Sequence, residues 1–557
     1  MTISLLGRIA VLLALGICAA GAPIAFAAGR KHGAAAIRGT RLARRLALAF
    51  GGLMLFATLL MEFALLSHDF SVSYVAQVGS LSTPLHITIV SLWSSLEGSI
   101  LFWGLILGVF TAGLAIAQRR ESEGYLADAL GVLFVIGVFF TFLIAGPADP
   151  FRPTPMPIPT DGPGPNPLLQ NHLLMIVHPP MLYLGYVGMS VPFAMAAAAL
   201  LRGRLSVGWL RPLRQWLLIP TAFLTAGIML GGWWSYEVLG WGGYWAWDPV
   251  ENASLLPWLT AIAAVHSAIV LERKGTLRAW TVVLITISFL LTILGTFLTR
   301  SGVVNSVHSF TQSPIGPLFL GFLAVTLVAV VILLSARVDK LASPPTQESF
   351  LAREGAFLVN NLLLVAFMLT VLIGTLFPII AEAIRDVKVS VGGPYYDRMT
   401  IPMSLGLLFL LGLGPALPWG RTTGAELRRA LLEPLPSAAV AAAIAWMTGA
   451  RSGMVLFVAA LAGFTLWVTG RQLFRPAAAR RAKGEALGTA LAVSAARAPR
   501  WYGGYISHLG VVITFVAIAV SSTYQKAHEA SLRNGETLTV GRYALTLTKV
   551  EGVEAAH

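Results

Sequence analysis

The chain of 557 residues is 56% hydrophobic and only 11% charged, and its formal net charge at pH 7 is +14. Soluble domains carry about 25% charged residues, so the composition excludes an ordinary water-soluble protein, a disordered chain and a disulfide scaffold. The positive charge does not indicate nucleic-acid binding, because basic residues of membrane proteins collect in cytoplasmic loops. The sequence predicts an all-α polytopic membrane protein.

Fourteen apolar stretches approach the length of about 20 helical residues that crosses a bilayer core. They lie at 3–28, 46–67, 98–118, 124–146, 173–200, 215–234, 253–271, 280–299, 314–336, 355–380, 401–418, 436–449, 452–470 and 506–522. We interpret the first as a membrane helix and not a signal peptide, because it lacks a convincing cleavage site. It contains the lone cysteine, Cys18, which excludes an internal disulfide and a CxxC redox pair.

Lys and Arg are distributed unevenly between alternate loops. The loops at 29–45, 119–123, 201–214, 272–279, 337–354, 419–435 and 471–505 hold 28 basic residues. The other loops hold six, which are Arg152, Arg300, Arg385, Lys388, Arg398 and Arg451. The positive-inside rule therefore places the first set in the cytoplasm and the N-terminus outside.

Two outer segments indicate structure of another kind. Residues 147–171 are rich in proline, which predicts a stiff, extended, non-helical connection. Apolar residues alternate with polar ones on both sides of Gly541-Arg542, which predicts a β-hairpin. We expect a transmembrane domain over 1–522 and the start of an outer β-rich domain over 523–557, incomplete at its end.

The outer segment 233–258 holds six of the fifteen tryptophans: Trp233, Trp234, Trp241, Trp245, Trp247 and Trp258. An aromatic belt at the bilayer surface would explain two or three of them. Three glycines in the same segment would let the backbone approach a ligand, and the rings offer flat apolar surface. The composition suits a large planar ligand such as a porphyrin, and a belt or packing role stays the alternative.

Two histidines lie on the same predicted face as this segment and flank it in the chain. His178 is in HPPMLYLGY, where two prolines are expected to fix the helix start, and His308 is in an outer loop. Imidazole is the usual axial ligand of haem iron, so the pair suits two ligands of one haem. The alternative is that each is an interface residue bonded to the backbone.

His266 and His508 fall within apolar stretches, where an ionisable side chain is costly and marks a functional site by default. They suit the two ligands of a second, membrane-embedded haem, and interhelical hydrogen bonding is the alternative. Among the carboxylates, Glu62 lies mid-span and Glu97 at an outer helix start. Asp248 before Pro249 favours a helix cap over ligand contact, and Glu251 favours neither.

These residues resemble a known family. The segment WGGYWAWDPVENASLLPW is similar to the WWD domain of the haem-handling proteins of cytochrome c biogenesis. Further stretches resemble its CcmF/NrfE branch of haem lyase subunits: NPLLQ and VHPPMLYLGYVG within 166–188, LTRSGVVNSVHSF at 298–310, WSSLEGSILFW at 93–103 and ISHLGV at 506–511. The resemblance runs from the N-terminus to about residue 557, and the combination of motifs is specific to this branch.

The resemblance implies a haem lyase of the bacterial inner membrane that receives haem on its periplasmic face. Such an enzyme attaches haem through two thioether bonds to the CxxCH cysteines of apocytochrome c. His178 and His308 would ligate the transferred haem, and His266 and His508 a permanent haem b. Further residues expected at the transferred haem are Trp241, Trp245, Trp247, Asp248 and Glu251 as catalytic residues, and Trp233, Trp234 and Arg300 as haem contacts.

The implied partners are the haem chaperone CcmE, apocytochrome c, CcmH/CcmI-type thiol and docking subunits, and membrane lipid. The family has fifteen spans with an outer domain before the last, so we expect this chain to end inside that domain. A haem transporter without bond chemistry is the main alternative. An ion-translocating respiratory subunit would need a chain of charged residues across the membrane, and Glu62 is the one clear mid-span carboxylate.

Overall fold

A computed structural model describes residues 2–121, 124–166, 172–203, 207–239, 243–302, 315–342, 351–526, 528 and 530–550. The first half of the chain forms α1 (Ile3–Arg30), α2 (Gly33–Leu66), α3 (Ser73–Val78), α4 (Leu85–Val90), α5 (Leu96–Ala117), α6 (Tyr125–Ala145), α7 (Leu174–Gly188), α8 (Ser190–Arg202), α9 (Val207–Val238) and α10 (Pro249–Lys274). The second half forms α11 (Arg278–Arg300), α12 (Gly316–Ser335), α13 (Val338–Leu341), α14 (Arg353–Arg385), α15 (Gly393–Ala416), α16 (Gly424–Leu432), α17 (Leu435–Met447), α18 (Gly453–Arg481), α19 (Leu487–Arg497) and α20 (Pro499–Tyr524). Two strands follow, β1 (Thr537–Val540) and β2 (Tyr543–Thr546).

Over the described residues, 14 helical segments are long and apolar enough to cross a membrane. They match the fourteen predicted stretches one to one, so the all-α polytopic fold is confirmed. The largest difference in bounds is at α2, which begins at Gly33 and not near residue 46. Its first residues are rich in Ala and Arg, which favour a helix although they are not apolar enough to be predicted as a span. With 34 residues, α2 is about 50 Å long and exceeds the bilayer core.

The chain forms two compact units, which are described separately. The first comprises Met1–Thr346 and Asn361–Ile401. In it α1 packs on α2 and α6, α7 on α9, and α10 on α11. Glycines let α2 and α5 come close, since a Cβ added to Gly51 would lie 2.9 Å from the Gly108 oxygen. Small residues of this kind are the usual contact between helices in membranes.

The second unit comprises Gln347–Asn360 and Pro402–His557. Its core cluster is formed by Leu408 of α15, Val458 and Ala462 of α18 and Val512 of α20. The Thr465 hydroxyl donates to the Leu408 carbonyl at 3.1 Å, which ties α18 to α15 inside this cluster.

Two short helices, α3 and α4, lie outside the predicted spans, in the segment between α2 and α5. This segment is tied to the Pro-rich segment, because Ser73 N–H donates to the Arg152 carbonyl and Thr154 N–H to that of Ser71. Tyr74 donates to the Ser91 carbonyl at 2.7 Å, and burial raises the pKa of its hydroxyl. The non-helical prediction is confirmed over 147–166, and residues 167–171 lie outside the described part.

The C-terminal hairpin is also confirmed. Strands β1 and β2 are antiparallel, with Leu538 opposite Leu545 and Val540 opposite Tyr543. Gly541 begins the two-residue turn at a φ of +61°, the left-handed conformation that such tight hairpins require. The division into a transmembrane domain over 1–522 and a β-rich domain after it stays a prediction.

Candidate functional site

His178 is fixed between α7 and α9. Its Nδ1–H donates to the Gly227 carbonyl at 2.7 Å, because a carbonyl only accepts. The ring lies against Gly231, where an added Cβ would be 2.5 Å from its Cε1 atom. In the neutral ring this hydrogen bond leaves the lone pair on Nε2. Histidines that bind metals are held in the same way, with the other ring nitrogen donating to a carbonyl or carboxylate.

The expectation that the two prolines fix the start of this helix is wrong. Helix α7 begins at Leu174, and Pro179 and Pro180 lie inside it. Leu174 and Met175 pack with the buried Trp234 of α9 in one apolar cluster. This packing stabilises a first turn ahead of the prolines, which places His178 inside the helix.

Consecutive tryptophans on α9 lie in different environments. Trp234 is only 3% exposed in the apolar cluster with Leu174 and Met175, whereas Trp233 is 55% exposed. The Trp233 indole N–H donates to the Glu237 carboxylate one turn later. Trp234 therefore holds α7 against α9, and Trp233 is the one of the two with ring surface to offer a ligand.

Sequence reasoning missed a histidine that joins this network. His172 Nε2–H donates to the other Glu237 oxygen at 2.6 Å, and His172 Nδ1 accepts from the Leu174 N–H at 3.2 Å. This hydrogen bond links the residues before α7 to the end of α9. In the sequence, the spacing of Trp233 and Glu237, which lie one helical turn apart, indicates the bond between these two residues but not the bond to His172.

The loop after α9 folds back on that helix. The Ser235 hydroxyl donates to the Gly243 carbonyl at 3.3 Å, and a Cβ added to Gly232 would lie 3.1 Å from the Tyr244 oxygen. At the other side, the Trp258 indole N–H donates to Thr225 at 2.8 Å and ties α10 to α9. The described loop 243–248 is thus held against the helix that holds His178.

Asp248 and Glu251 form a capping box at the start of α10. Asp248 Oδ1 accepts from the Val250 N–H at 2.8 Å, and Glu251 Oε2 accepts from the N–H groups of Asp248 and Ala246. The cap predicted for Asp248 is confirmed. Glu251, for which the residues alone favoured neither a cap nor ligand contact, completes it and also fixes the end of the loop.

Trp247 connects this loop to α15. Its ring stacks on Tyr396, with centroids 4.7 Å apart and planes at 10°, and its N–H donates to Asp397 at 3.1 Å. Trp245 meets the same ring edge-on at 6.0 Å. Tyr396 and Asp397 were not predicted as site residues, because nothing local in the sequence links them to a segment about 150 residues earlier.

Arg300 is the last residue of α11 and bonds to α7. It donates to the Tyr183 hydroxyl at 2.8 Å, and Tyr183 lies five residues after His178 on α7. Arg300 is therefore near this site. Trp241 and His308 lie outside the described residues, so their predicted contacts with haem stay predictions.

The two membrane histidines belong to different units. His266 is half-buried on α10 of the first unit. His508 on α20 meets Tyr505 edge-on at 5.7 Å, and its buried Nδ1 has no hydrogen-bond partner in the described part of the chain. Their pairing as ligands of one haem b stays a prediction.

Comparisons with known proteins agree with the motifs. Residues 93–304 match the family described as cytochrome C assembly protein. The chain is 38% identical to the Cytochrome c-type biogenesis protein CcmF of Pseudomonas aeruginosa, over 89% of this chain and 73% of the relative. For CcmF of Escherichia coli these values are 36%, 89% and 75%.

The fold is similar as well. A solved structure named Cytochrome c Heme Lyase CcmF matches with a TM-score of 0.75 and 35% sequence identity. The match covers 98% of this chain and 84% of that one. This chain therefore belongs to the CcmF family of cytochrome c-type biogenesis proteins.

Proposed function

We propose that this membrane protein is a haem lyase of cytochrome c maturation. It receives haem on the periplasmic face of the bacterial inner membrane and holds it while thioether bonds form to the CxxCH cysteines of an apocytochrome. The single observation that carries the proposal is the geometry of His178. Its Nδ1–H is engaged by Gly227, and its ring is locked against Gly231 beside the tryptophan segment.

The residues around His178 suit a haem as substrate. The neutral ring carries the lone pair on Nε2, the atom that ligates iron. Trp233, two residues after Gly231 on α9, and the edge-on pair Trp245 and Trp247 of loop 243–248 supply aromatic surface. Arg300, which donates to the Tyr183 hydroxyl of α7, suits a haem propionate. His308 is the expected second ligand.

The bond chemistry requires thiols from the partner. Each thioether forms when an S–H adds across a haem vinyl group: the sulfur bonds to one vinyl carbon and the proton goes to the other, so no electrons are gained or lost. The lone Cys18 is fully buried in α1. This chain would then contribute position and orientation, a mode of catalysis that alone can remove about 7 to 11 kcal/mol from a barrier.

A resident haem b belongs to the same proposal. His266 and His508 would hold it. The buried Nδ1 of His508, which has no hydrogen-bond partner in the described part of the chain, suits a nitrogen that ligates iron. When bound, such a haem supplies one-electron chemistry. The partners proposed for the chain are apocytochrome c, the haem chaperone CcmE and CcmH/CcmI-type subunits.

The test uses the full chain in liposomes with its docking subunits, with haem-loaded chaperone and apocytochrome on the outer face only. Covalent haem should appear on the apocytochrome with the wild-type chain and be lost with His178→Ala. His86→Ala is the matched control, because His86 is an exposed histidine of α4, and it should retain the activity. Attachment that requires haem supplied from the inner face would identify a transporter instead and overturn the lyase.

A further inference from the structure

Trp247 has a backbone conformation that a tryptophan rarely adopts. Its φ is +58°, in the left-handed region. For a bulky side chain this conformation is strained and persists only where the surroundings enforce it. The residue is also on the loop 243–248, which the proposed function places at the haem. The contacts that enforce the strain therefore bear on the site.

Three contacts hold Trp247. Its ring stacks on Tyr396 with an interplanar angle of 10°, its indole N–H donates to Asp397 Oδ1 at 3.1 Å, and its carbonyl accepts from Asn252 Nδ2 at 3.1 Å. Ring face, ring edge and backbone are each fixed by a different partner. Two of these partners are adjacent residues at the start of α15.

Tyr396 is itself anchored. It is only 1% exposed, and a Cβ on Gly374 of α14 would lie 2.8 Å from its ring and hydroxyl atoms. Asn252 donates to the Tyr396 hydroxyl at 3.4 Å and to Thr375 at 3.0 Å. The ring on which Trp247 stacks is thus a rigid platform between α10 and α14.

We infer that Tyr396 and Asp397 are positioning residues of the haem site, which hold Trp247 in its strained conformation and thereby set the orientation of loop 243–248. Trp245 meets the Trp247 ring edge-on at 90°, so a rotation of Trp247 moves Trp245 too. We call Tyr396 and Asp397 the clamp on Trp247. Loss of the clamp lets the backbone at Trp247 relax to negative φ and misorients the rings of Trp245 and Trp247. This inference rests on the proposed function for its haem part only.

The first experiment needs no haem. The full chain is labelled with 5-fluorotryptophan, and the ¹⁹F resonance of Trp247 is assigned by its loss in Trp247→Phe. Asp397→Ala should shift or broaden this resonance, and Asp397→Asn should restore it, because an amide oxygen also accepts the indole N–H. Tyr395→Phe is the matched control, because Tyr395 is adjacent to Tyr396. The change removes a hydroxyl that donates to the Thr370 carbonyl and keeps the ring. An unchanged Trp247 resonance in Asp397→Ala overturns the clamp.

The second experiment titrates haem into the same purified proteins and follows the difference spectrum of the added haem. Asp397→Ala should weaken its binding about tenfold, as expected for the loss of one hydrogen bond. Asp397→Asn and Tyr395→Phe should bind as wild type does. A shifted resonance with wild-type affinity overturns the positioning role. Absence of haem binding by the wild-type chain overturns the proposed function and the haem part of this inference. The ¹⁹F resonance of Trp247 tests the clamp independently of haem.

Discussion

The two ends of helices α9, α10 and α11 are held by different chemistry. At the end that carries loop 243–248, the contacts are ring stacks, indole N–H bonds and a capping box. At the opposite end they are ion pairs, such as Arg214 with Glu272 at 2.5 Å. There, Arg337 also donates to the last carbonyls of α8, Leu200 at 2.9 Å and Leu201 at 3.2 Å.

This difference suits one end to stabilising the helices and the other to the proposed ligand binding. Guanidinium groups satisfy helix C-terminal carbonyls and buried carboxylates, which fixes helix ends but offers no flat apolar surface. The aromatic end keeps surface for a ligand, since Trp233 is half-exposed while its neighbour Trp234 holds the packing. Basic residues whose positions the positive-inside rule explains by membrane topology thus also stabilise the helix ends.

The largest effect on stability is expected at the ion-pair end. Arg202 and Asp128 pair at 2.9 Å with side chains only 16% and 9% exposed. Asp128→Ala leaves the guanidinium buried without its carboxylate, so the free energy of unfolding should fall by about 3 to 5 kcal/mol. Denaturation of the purified protein in mixed micelles measures this change.

The same variant tests whether the two ends are independent. The folded fraction of Asp128→Ala should bind haem at the aromatic end as wild type does. A double variant, Asp128→Ala with Arg202→Ala, should recover part of the lost stability, because no charge is then left unpaired. A decrease in the free energy of unfolding below about 1 kcal/mol for the single variant would contradict the stabilising role of this pair.

A smaller, local effect is expected at the aromatic end from Gly231→Ala. The new Cβ would lie 2.5 Å from His178 Cε1, so the ring must move and its bond to Gly227 must break. Haem binding at the site beside His178 should weaken about tenfold, with little effect on the ion pairs at the opposite end. Gly321→Ala on α12 is the control, because no atom of the described residues lies within 4 Å of a Cβ added there. Equal haem affinity in both variants would remove His178 from the site.

The fold was largely predictable from the sequence for a physical reason. A bilayer imposes a fixed span of apolar residues, so hydropathy alone locates the helices. It missed α3 and α4, which are too short to span. It also missed the N-terminal extension of α2, whose helix formers are Ala and Arg.

The site was predictable only where its signals are local. Asp248 followed by Pro249 indicates a cap within four residues, and the structure has that cap. The contact of Trp247 with Asp397 joins positions 150 residues apart, and the hydrogen bond of His172 with Glu237 joins positions 65 apart. Contacts of this kind are produced by helix packing, which no spacing rule in a single sequence reports.

The smallest effect is expected from a second aspartate, which sharpens the contrast with Asp128. Asp161 lies in the Pro-rich segment and accepts the Leu81 N–H at 2.8 Å. This N–H beside the carboxylate holds the pKa of Asp161 below its ordinary value. Because the pKa is lowered in the folded state, the contact contributes stability at neutral pH and loses it as the pH falls below about 4.

Hydrogen exchange at the Leu81 amide measures this contact directly. Its protection, corrected for the intrinsic pH dependence of exchange, should decrease on acidification in the wild type. In Asp161→Asn the amide oxygen still accepts, but no titrating charge is left, so protection should be independent of pH. Because Asp161 is exposed to solvent, the loss should stay within the segments that join α2 to α5 and α6 to α7. Acid unfolding that spreads to the helices in the wild type and not in Asp161→Asn would contradict this local role and the contrast with Asp128.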